Sequence, residues 1–576
     1  MDGLIKADQL LQRGQPEQAL RVLQAVLQRT PQRGPAHALC GVALSRLGQT
    51  SAALRSLRTA IACGVPQGNL AAFFVQTLAA LPADQVRLHV ADYRLAVGFL
   101  EGGGVDPFAL APGLWPALCA CAELRDWTAD DSALPAPSVG ATALLTAALP
   151  QVPVVSTTLE ALLVRWRAGV LRGTVTLPLE LLAAMAAQAW LGEHPWVETA
   201  EDTVVVSALQ QTIQVEIGRG VVDPARVVSF ALWRSLVGLG PAPVLDACAD
   251  PSLALLVRQQ RIEPAEERAL GQALPTLTAV TGETSAAVQA MYEENPYPRW
   301  RGLAQQPARG REAVVAASVP VLAPGTVDSP DPIDILVAGC GTGREALTVA
   351  RAFRNSRVLA VDLSRRSLGY AARKTDELGL RGTVRFAQAD ILQLGTLGRR
   401  FHHISSSGVL HHLADPLAGW RVLRGMLHPG GTMKVALYSE AARQPVVAAR
   451  ALIAEAGLEP TQDGLRAARQ LVLAQPAHHP VHALVHSQDF ASLSGVRDLL
   501  FHVQEHRLSM PQIADMIGAL DLRLLGLELP HPAMLARYRR LFPDDTAARD
   551  LHRWAAVETR WPDTFPGMIT LWLIAA

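Results

Sequence analysis

The sequence predicts a multidomain α plus α/β protein, with N-terminal helical repeats, a helical middle domain and a C-terminal doubly wound sheet. Three observations carry that expectation. Small and apolar residues recur with a period of 34 near the N-terminus, helix-period apolar segments fill residues 91 to 280, and from Ile333 short apolar runs alternate with helical stretches around a glycine turn. With 576 residues the chain also exceeds what one core can hold, since cores stop growing near ~250–300 residues.

Composition narrows the class. Apolar residues make up 49% against 18% charged, which favours packed structure over disorder. Basic and acidic side chains both total 52, so no global field draws the chain to nucleic acid or an anionic membrane. Lys occurs only at Lys6, Lys374 and Lys434 in a chain rich in Arg, Ala, Leu, Pro and Gly, which reads as GC-rich bacterial coding. The opening Met-Asp-Gly-Leu-Ile-Lys is unlike a basic and then apolar signal peptide. Leu177 to Leu191 is interrupted by Glu180 and falls short of the ~18–20 residues of a spanning helix. A cytoplasmic protein is expected. The cysteines Cys40, Cys63, Cys119, Cys121, Cys248 and Cys340 form no C-x-x-C pair and no zinc spacing, so neither disulfides nor a structural metal are expected. Cys119 and Cys121 read as small hydrophobes buried in a helix.

The repeat comes first along the chain. Gly14, Ala19, Leu20, Leu23 and Leu27 return 34 positions later as Gly48, Ala53, Leu54, Leu57 and Ile61, with Ala7 answered by Gly41. This pattern resembles the tetratricopeptide repeat (TPR), whose paired helices need small residues where they cross. Residues 1–90 are assigned to it, with Asn69 to Leu81 beginning a third repeat or a cap. Such arrays hold peptides or protein segments on their concave face, or merely pack on their neighbours. Residues 91–290 form the helical middle, with helices expected over Thr158–Trp166, Leu179–Trp190, Ala225–Leu239 and Leu253–Arg258. The stretches Ala133–Val139 and Pro307–Pro332 read as connectors, and residues 291–332 as an entry segment and linker.

Residues 333–576 carry the chemistry. The run Ile333–Ala338 leads into Gly339-Cys340-Gly341-Thr342-Gly343 and a helix from Arg344 to Phe353, which is strand, glycine turn, helix. Glycines there let a cofactor approach bare backbone and permit positive φ. A second strand, Val358–Val361, ends in Asp362, whose carboxylate can accept both hydroxyls of a ribose. A third, Thr383–Phe386, leads to Ala389-Asp390-Ile391, where Asp390 can meet an adenine amino group or simply cap a helix. Phe401–Ser405 is the fourth strand, followed by Ser406-Ser407-Gly408-Val409-Leu410-His411-His412-Leu413, and Leu427-His428-Pro429-Gly430-Gly431 is the turn before a fifth.

In this order the segments GCGTG, VDLS, QADI, SSGVLHHLADP and LHPGG resemble the class I S-adenosylmethionine-dependent methyltransferases. The resemblance implies a Rossmann-like seven-stranded sheet and S-adenosyl-L-methionine as cofactor. Gly339, Cys340, Gly341 and Gly343 would lie beneath its methionine part, Asp362 and Leu363 at the ribose and Asp390 with Ile391 at adenine, while Ser407 would line the transfer site. Two positions depart from the family: Val337 stands where an acid is common, and His402 where an Asp often opens the fourth strand. Met291 to Trp300, Arg497 to His506 and Trp561 to Met568 resemble segments of bacterial proteins that fuse tetratricopeptide repeats to this domain.

Methyl transfer from a sulfonium is an in-line displacement in which orientation supplies most of the acceleration. Where the acceptor needs a base, His411, His412 and His506 are the candidates, with His502 and Glu505 nearby, because imidazole is partly a free base near neutrality. Paired histidines also serve packing. His502, Glu505 and His506 can share a helical face at i, i+3 and i+4, a spacing that suits metal ligands, but without further ligands no metal is expected. Tyr292, Tyr297, Arg299 and Trp300 form either a lid or a stiff entry segment. An insertion of about seventy residues, 440–510, exceeds the usual ~2–6 of an α/β connection and can cap a site. The last strands, Leu522–Leu529 and Ile569–Ala575, are expected to close the sheet edge. The function expected is methyl transfer, with the repeats docking a protein or peptide. The alternatives are a small-molecule methyltransferase with repeats used for assembly, and a non-catalytic scaffold.

Overall fold

A computed structural model describes residues 2–12, 14–120 and 137–575. Cys121 and residues 133–136 of the first connector lie outside the described residues. The chain divides into two compact units. The first comprises Met1–Gln260 with Trp300–Gln305 and His486–Ala491, and the second Arg261–Arg299, Gln306–Val485 and Ser492–Ala576.

In the first unit the helices Asp2–Gln12, Pro16–Arg29, Gly34–Arg46 and Thr50–Ala62 form two consecutive antiparallel pairs. Of the repeated positions, Ala7, Ala19, Leu23, Ala53, Leu54 and Leu57 are inaccessible to solvent, Leu20, Leu27 and Ile61 are half-buried, and Gly14 and Gly48 are exposed in the turns. Gly41 shows why some must be small: a Cβ there would sit 2.7 Å from the Leu57 side chain. The segment expected to extend the array forms a helix, Ala71–Ala79. Further along, Ala225–Leu239 is not one helix. It is the helix Pro224–Ala231 and a short 3-10 turn, Leu236–Leu239, divided where the Ser235 hydroxyl accepts the Val237 N–H and restarts the chain.

The second unit holds a seven-stranded sheet of β1 (Ile333–Ala338), β2 (Ser356–Asp362), β3 (Val384–Gln388), β4 (Phe401–Ser407), β5 (Leu427–Tyr438), β6 (Leu522–Glu528) and β7 (Met568–Ala575). Its order is β3-β2-β1-β4-β5-β7-β6, with the first five strands parallel and β7 antiparallel to both neighbours. The central strands are buried on both faces, which is why they read as continuous apolar runs. β1 lies between β2 and β4, so the order reverses there and a crevice opens beyond the strands' carboxyl ends. The two final strands close the sheet edge as expected, with β7 inserted between β5 and β6 and β6 outermost.

Two segments preceding β1 have more structure than composition suggested. The Pro307–Pro332 connector contains a helix, Arg311–Ser318. Arg311 is buried and donates to the carbonyls of Asp328, His402 and Gly430, satisfying groups at the amino ends of the strands. The helix Glu263–Ala273 packs on Arg365–Glu377 with near backbone contact. A Cβ at Gly271 would lie 2.3 Å from the Arg365 carbonyl, and one at Gly369 2.0 Å from that of Glu267. Thr276 pairs beside Gln388, covering the β3 edge. In the insertion, the helices Gln444–Glu455, Gln462–Leu473 and Leu493–Phe501 follow β5.

Candidate active site

The turn after β1 is built from three glycines with different reasons to be glycine. Gly339 and Gly343 have φ of +75° and +85°, and packing also excludes a side chain: a Cβ would lie 2.5 Å from Val409 Cγ1 at the first and 2.6 Å from Ala371 Cβ at the second. At Gly341, φ +50°, a Cβ would meet only the Tyr297 carbonyl, at 3.3 Å. Gly341 is thus the least crowded of the three, lying against the Tyr297 carbonyl, while its neighbours hold the turn against β4's loop and the helix Arg365–Glu377. Cys340 is buried, and burial pushes its thiol well above the ordinary range, so it is no nucleophile.

Asp362 ends β2 and faces this turn. Oδ2 accepts the Gly341 N–H at 2.7 Å and Oδ1 the Ser364 N–H at 2.9 Å. Burial raises the carboxyl pKa in spite of these donors. The Leu363 carbonyl accepts from the side chains of Gln289 and Gln388 at 3.1 and 2.9 Å. Asp390 divides its oxygens. Oδ1 caps the turn that follows by accepting the Leu392 N–H at 3.0 Å, whereas Oδ2 is buried without a partner, beside buried Ile391. At the end of β4 the Ser407 hydroxyl is likewise buried and unpartnered. Orphaned buried oxygens are costly unless a ligand completes them. A side-chain-free glycine turn, a carboxylate at the end of β2 and the unpartnered Asp390 and Ser407 oxygens fit S-adenosylmethionine, which has hydroxyl and amine donors for them.

The segment after the helix Glu283–Glu294 borders the turn, with Thr342 donating to the Pro298 carbonyl at 2.6 Å and Ser364 to that of Tyr292 at 3.1 Å. Tyr292 donates its hydroxyl to Asp498 Oδ1 at 2.5 Å, and His502 Nε2 lies 3.4 Å from the same hydroxyl. His412 stacks on His502 with ring centroids 3.6 Å apart. Hydrogen bonds fix the tautomers. His412 Nδ1 donates to the Gln504 carbonyl at 2.7 Å, which leaves an Nε2 lone pair. His502 Nδ1 accepts the Gln504 N–H at 3.1 Å, which puts its proton on Nε2, toward Tyr292. Burial pushes His412 down to about 4 and His502 to about 2, and Asp498 up to about 6.

His411 packs on Tyr438 and accepts its N–H through Nδ1 at 3.3 Å, and Nε2 is buried without a partner. Burial holds its pKa well below the ordinary histidine value. His506 stands outside the group, 3.2 Å from the Ala414 carbonyl and 3.0 Å from the Gln504 amide. The shared helical face expected of His502, Glu505 and His506 does not form. The helix ends at Phe501 and His502 is extended, while the Glu505 carboxylate is taken by Arg443 and Arg450 at 2.5 and 2.9 Å. His412, Asp498 and His502 do place one ligand atom each within 4.8 Å of one another. The proton on His502 Nε2 and the Tyr292 hydroxyl on Asp498 occupy positions a cation would need, so the group is built for hydrogen bonding.

Tyr292 and Asp498 are the residues sequence reasoning under-read. Asp498 lies four positions before His502, but across a helix end that the i, i+4 pattern does not reveal. Of the two departures, Val337 is buried in β1 between Ala360 and Ser405. His402 opens β4 at the far edge of the sheet, accepting the Asp334 N–H at 3.0 Å, and so does not touch the turn.

Residues 335–431 match the family model of a methyltransferase domain, and residues 10–72 that of a tetratricopeptide repeat. The chain thus carries a methyltransferase domain of the class I fold, and a tetratricopeptide region precedes it. It is 33% identical over 112 residues to an uncharacterised protein of Synechococcus, covering 19% of this chain and 27% of that one. It is 31% identical over 99 residues to a ubiquinone biosynthesis O-methyltransferase of Cereibacter sphaeroides, covering 17% and 38%. The chain thus matches well under half the length of these curated relatives. Among solved structures, PKMT2 of Rickettsia typhi with AdoHcy gives a TM-score of 0.34 at 17% identity, covering 46% of this chain and 52% of that one. Magnesium protoporphyrin IX methyltransferase of Synechocystis with bound SAH gives 0.26 at 12%, covering 52% and 90%. No helix among the described residues is long and apolar enough to cross a membrane.

Proposed function

We propose that this protein is an S-adenosylmethionine-dependent methyltransferase whose acceptor binds beside Tyr292, His412 and Asp498. The carrying observation is the convergence, at the carboxyl ends of β1 to β4, of the side-chain-free Gly341 main chain, the Asp362 carboxylate and the unpartnered oxygens of Asp390 and Ser407. When bound, S-adenosylmethionine supplies an electrophilic methyl group on a sulfonium. Gly339, Cys340, Gly341 and Gly343 would run beneath its methionine part, Asp362 and Leu363 beside the ribose, and Asp390 Oδ2 with Ile391 at the adenine. Ser407 would line the transfer site.

The surrounding side chains orient the acceptor and take its proton. At about 4, His412 is neutral near pH 7 and offers Nε2 as a hydrogen-bond acceptor, but it is a weak base. Asp498, at about 6, is ionised at neutral pH and its proton affinity suits a general base. A proton leaving the acceptor passes across the Tyr292 hydroxyl to Asp498. His411 supports Tyr438, and His506 holds the chain at Gln504 against the loop after β4.

The tetratricopeptide region docks a protein or peptide acceptor, and the protein works in the cytoplasm. Incubating a lysate with labelled S-adenosylmethionine and separating macromolecular from small-molecule fractions tests the acceptor class. The label is expected in protein, and deletion of residues 1 to 66 should abolish it while cofactor binding persists. Label confined to small molecules would overturn the docking role.

A further inference from the structure

A second group of reactive side chains lies in the first unit. Ser51 is the second residue of the helix Thr50–Ala62, half-buried, and its hydroxyl is 2.9 Å from His89 Nε2. His89 Nδ1 is 2.7 Å from Oδ2 of Asp92, which is 1% exposed. A carboxylate only accepts, so Nδ1 carries the imidazole proton and Nε2 turns its lone pair to the serine. Arg58 Nε stands 3.3 Å from the other Asp92 oxygen. The Gln85 amide oxygen is 3.0 Å from the same hydroxyl. The hydroxyl has one proton and rotates freely, so it can give that proton to Gln85 or turn it to the His89 Nε2 lone pair.

We propose that Ser51, His89 and Asp92 are the nucleophile, base and orienting acid of a second site that hydrolyses small carboxylic esters. The order of contacts and the tautomer are those that nucleophilic hydrolysis requires. Ser51 also sits in the first turn of a thirteen-residue helix, where the N–H groups of residues 50 to 52 have no acceptor within the helix and no side chain caps them. They can receive the negative charge that develops on an ester carbonyl oxygen. An open cleft of about 550 Å³, lined by side chains of the helix Pro16–Arg29 with Leu47 and Gln49, ends two residues before Ser51.

The Ser51 oxygen attacks the carbonyl carbon as its proton moves to His89 Nε2. The C–O bond to the alcohol breaks, and the alcohol leaves with that proton. Water then adds to the acyl group on Ser51, giving its proton to His89, and the acid departs as the serine recovers its hydrogen. No oxidant, metal or cofactor enters, so the site stands or falls independently of methyl transfer.

The test uses the full-length protein, a fluorophosphonate probe and p-nitrophenyl acetate. Peptide mapping is expected to place the phosphonyl group on Ser51, with none on Ser51→Ala. His89→Gln should slow labelling by about 10²-fold or more. Asp92→Asn, which favours the wrong imidazole tautomer, should lower ester hydrolysis by about 10³–10⁴-fold in protein shown to be folded. A polar staple between helices would give no labelling of Ser51 and no hydrolysis to lose. Absence of label on Ser51 in the folded protein, or labelling indifferent to His89→Gln, overturns the proposal.

Discussion

The Asp362 carboxylate accepts the Gly341 N–H at 2.7 Å, so the acid that ends β2 braces the least crowded glycine of the turn. A single side chain thereby fixes the turn that, in the proposed function, lies beneath the cofactor. Asp362→Ala strips an acceptor from two N–H groups and should destabilise the fold by about 1–3 kcal/mol in urea unfolding. Asp362→Asn keeps an acceptor oxygen and should cost less, yet still weaken cofactor binding. Equal destabilisation by the two variants would deny the bracing role.

Asp498 makes a prediction in pH. With its folded pKa raised to about 6, it is protonated below that value and ionised above it. As a general base it should give a kcat/KM that rises about tenfold per pH unit up to about 6 and then levels, a limb that Asp498→Asn removes. The stability effect has the opposite sign. The folded state binds the proton more tightly than the unfolded state, whose carboxyl titrates near ~3.9, so the contribution is full below that value and is lost as pH rises through about 6. Asp498→Asn should therefore be more stable than the parent at pH 8, by about 1–3 kcal/mol, while losing activity.

Gly343→Ala and Gly341→Ala should fail differently. The first drives a methyl into Ala371, at 2.6 Å, and strains a φ of +85°, so a lowered melting temperature is expected. The second strains a smaller φ of +50° and presses on the Tyr297 carbonyl at 3.3 Å, so it should lose less stability and act mainly on cofactor affinity. Loss of stability in both, with unchanged affinity in Gly341→Ala, would remove the distinction.

Arg311 tests the far edge of the sheet. Arg311→Met leaves the carbonyls of Asp328, His402 and Gly430 without their donor and should cost about 3 kcal/mol. S-adenosylmethionine affinity of the folded variant should not change, because these carbonyls lie away from the glycine turn. A matched fall in affinity would show that the two ends of the sheet are coupled.

Much of this was legible in the sequence where a local rule governs the residue. β1, the turn and β2 follow from apolar runs and glycines whose conformations only glycine tolerates, and the repeat follows from small residues at helix crossings. Tertiary contacts were harder to read. The helix Arg311–Ser318 hides in a stretch rich in Pro and Gly because a buried guanidinium, not a hydrophobic period, anchors it. The helix Glu263–Ala273 reads as one more middle helix because Gly271 and Gly369, far apart in sequence, mark its contact. β7 sits between β5 and β6 because antiparallel pairing decides the edge, which strand order along the chain does not disclose. In the candidate site Tyr292 and Asp498 meet from segments about two hundred residues apart, so neither announces its partner.

Titration calorimetry with S-adenosylmethionine tests the central claim most directly. The parent should bind one molecule per chain, and Gly341→Val and Asp362→Ala, each shown by circular dichroism to be folded, should lose that heat. A folded parent that takes up no S-adenosylmethionine, or variants that bind it as tightly as the parent, would contradict the account.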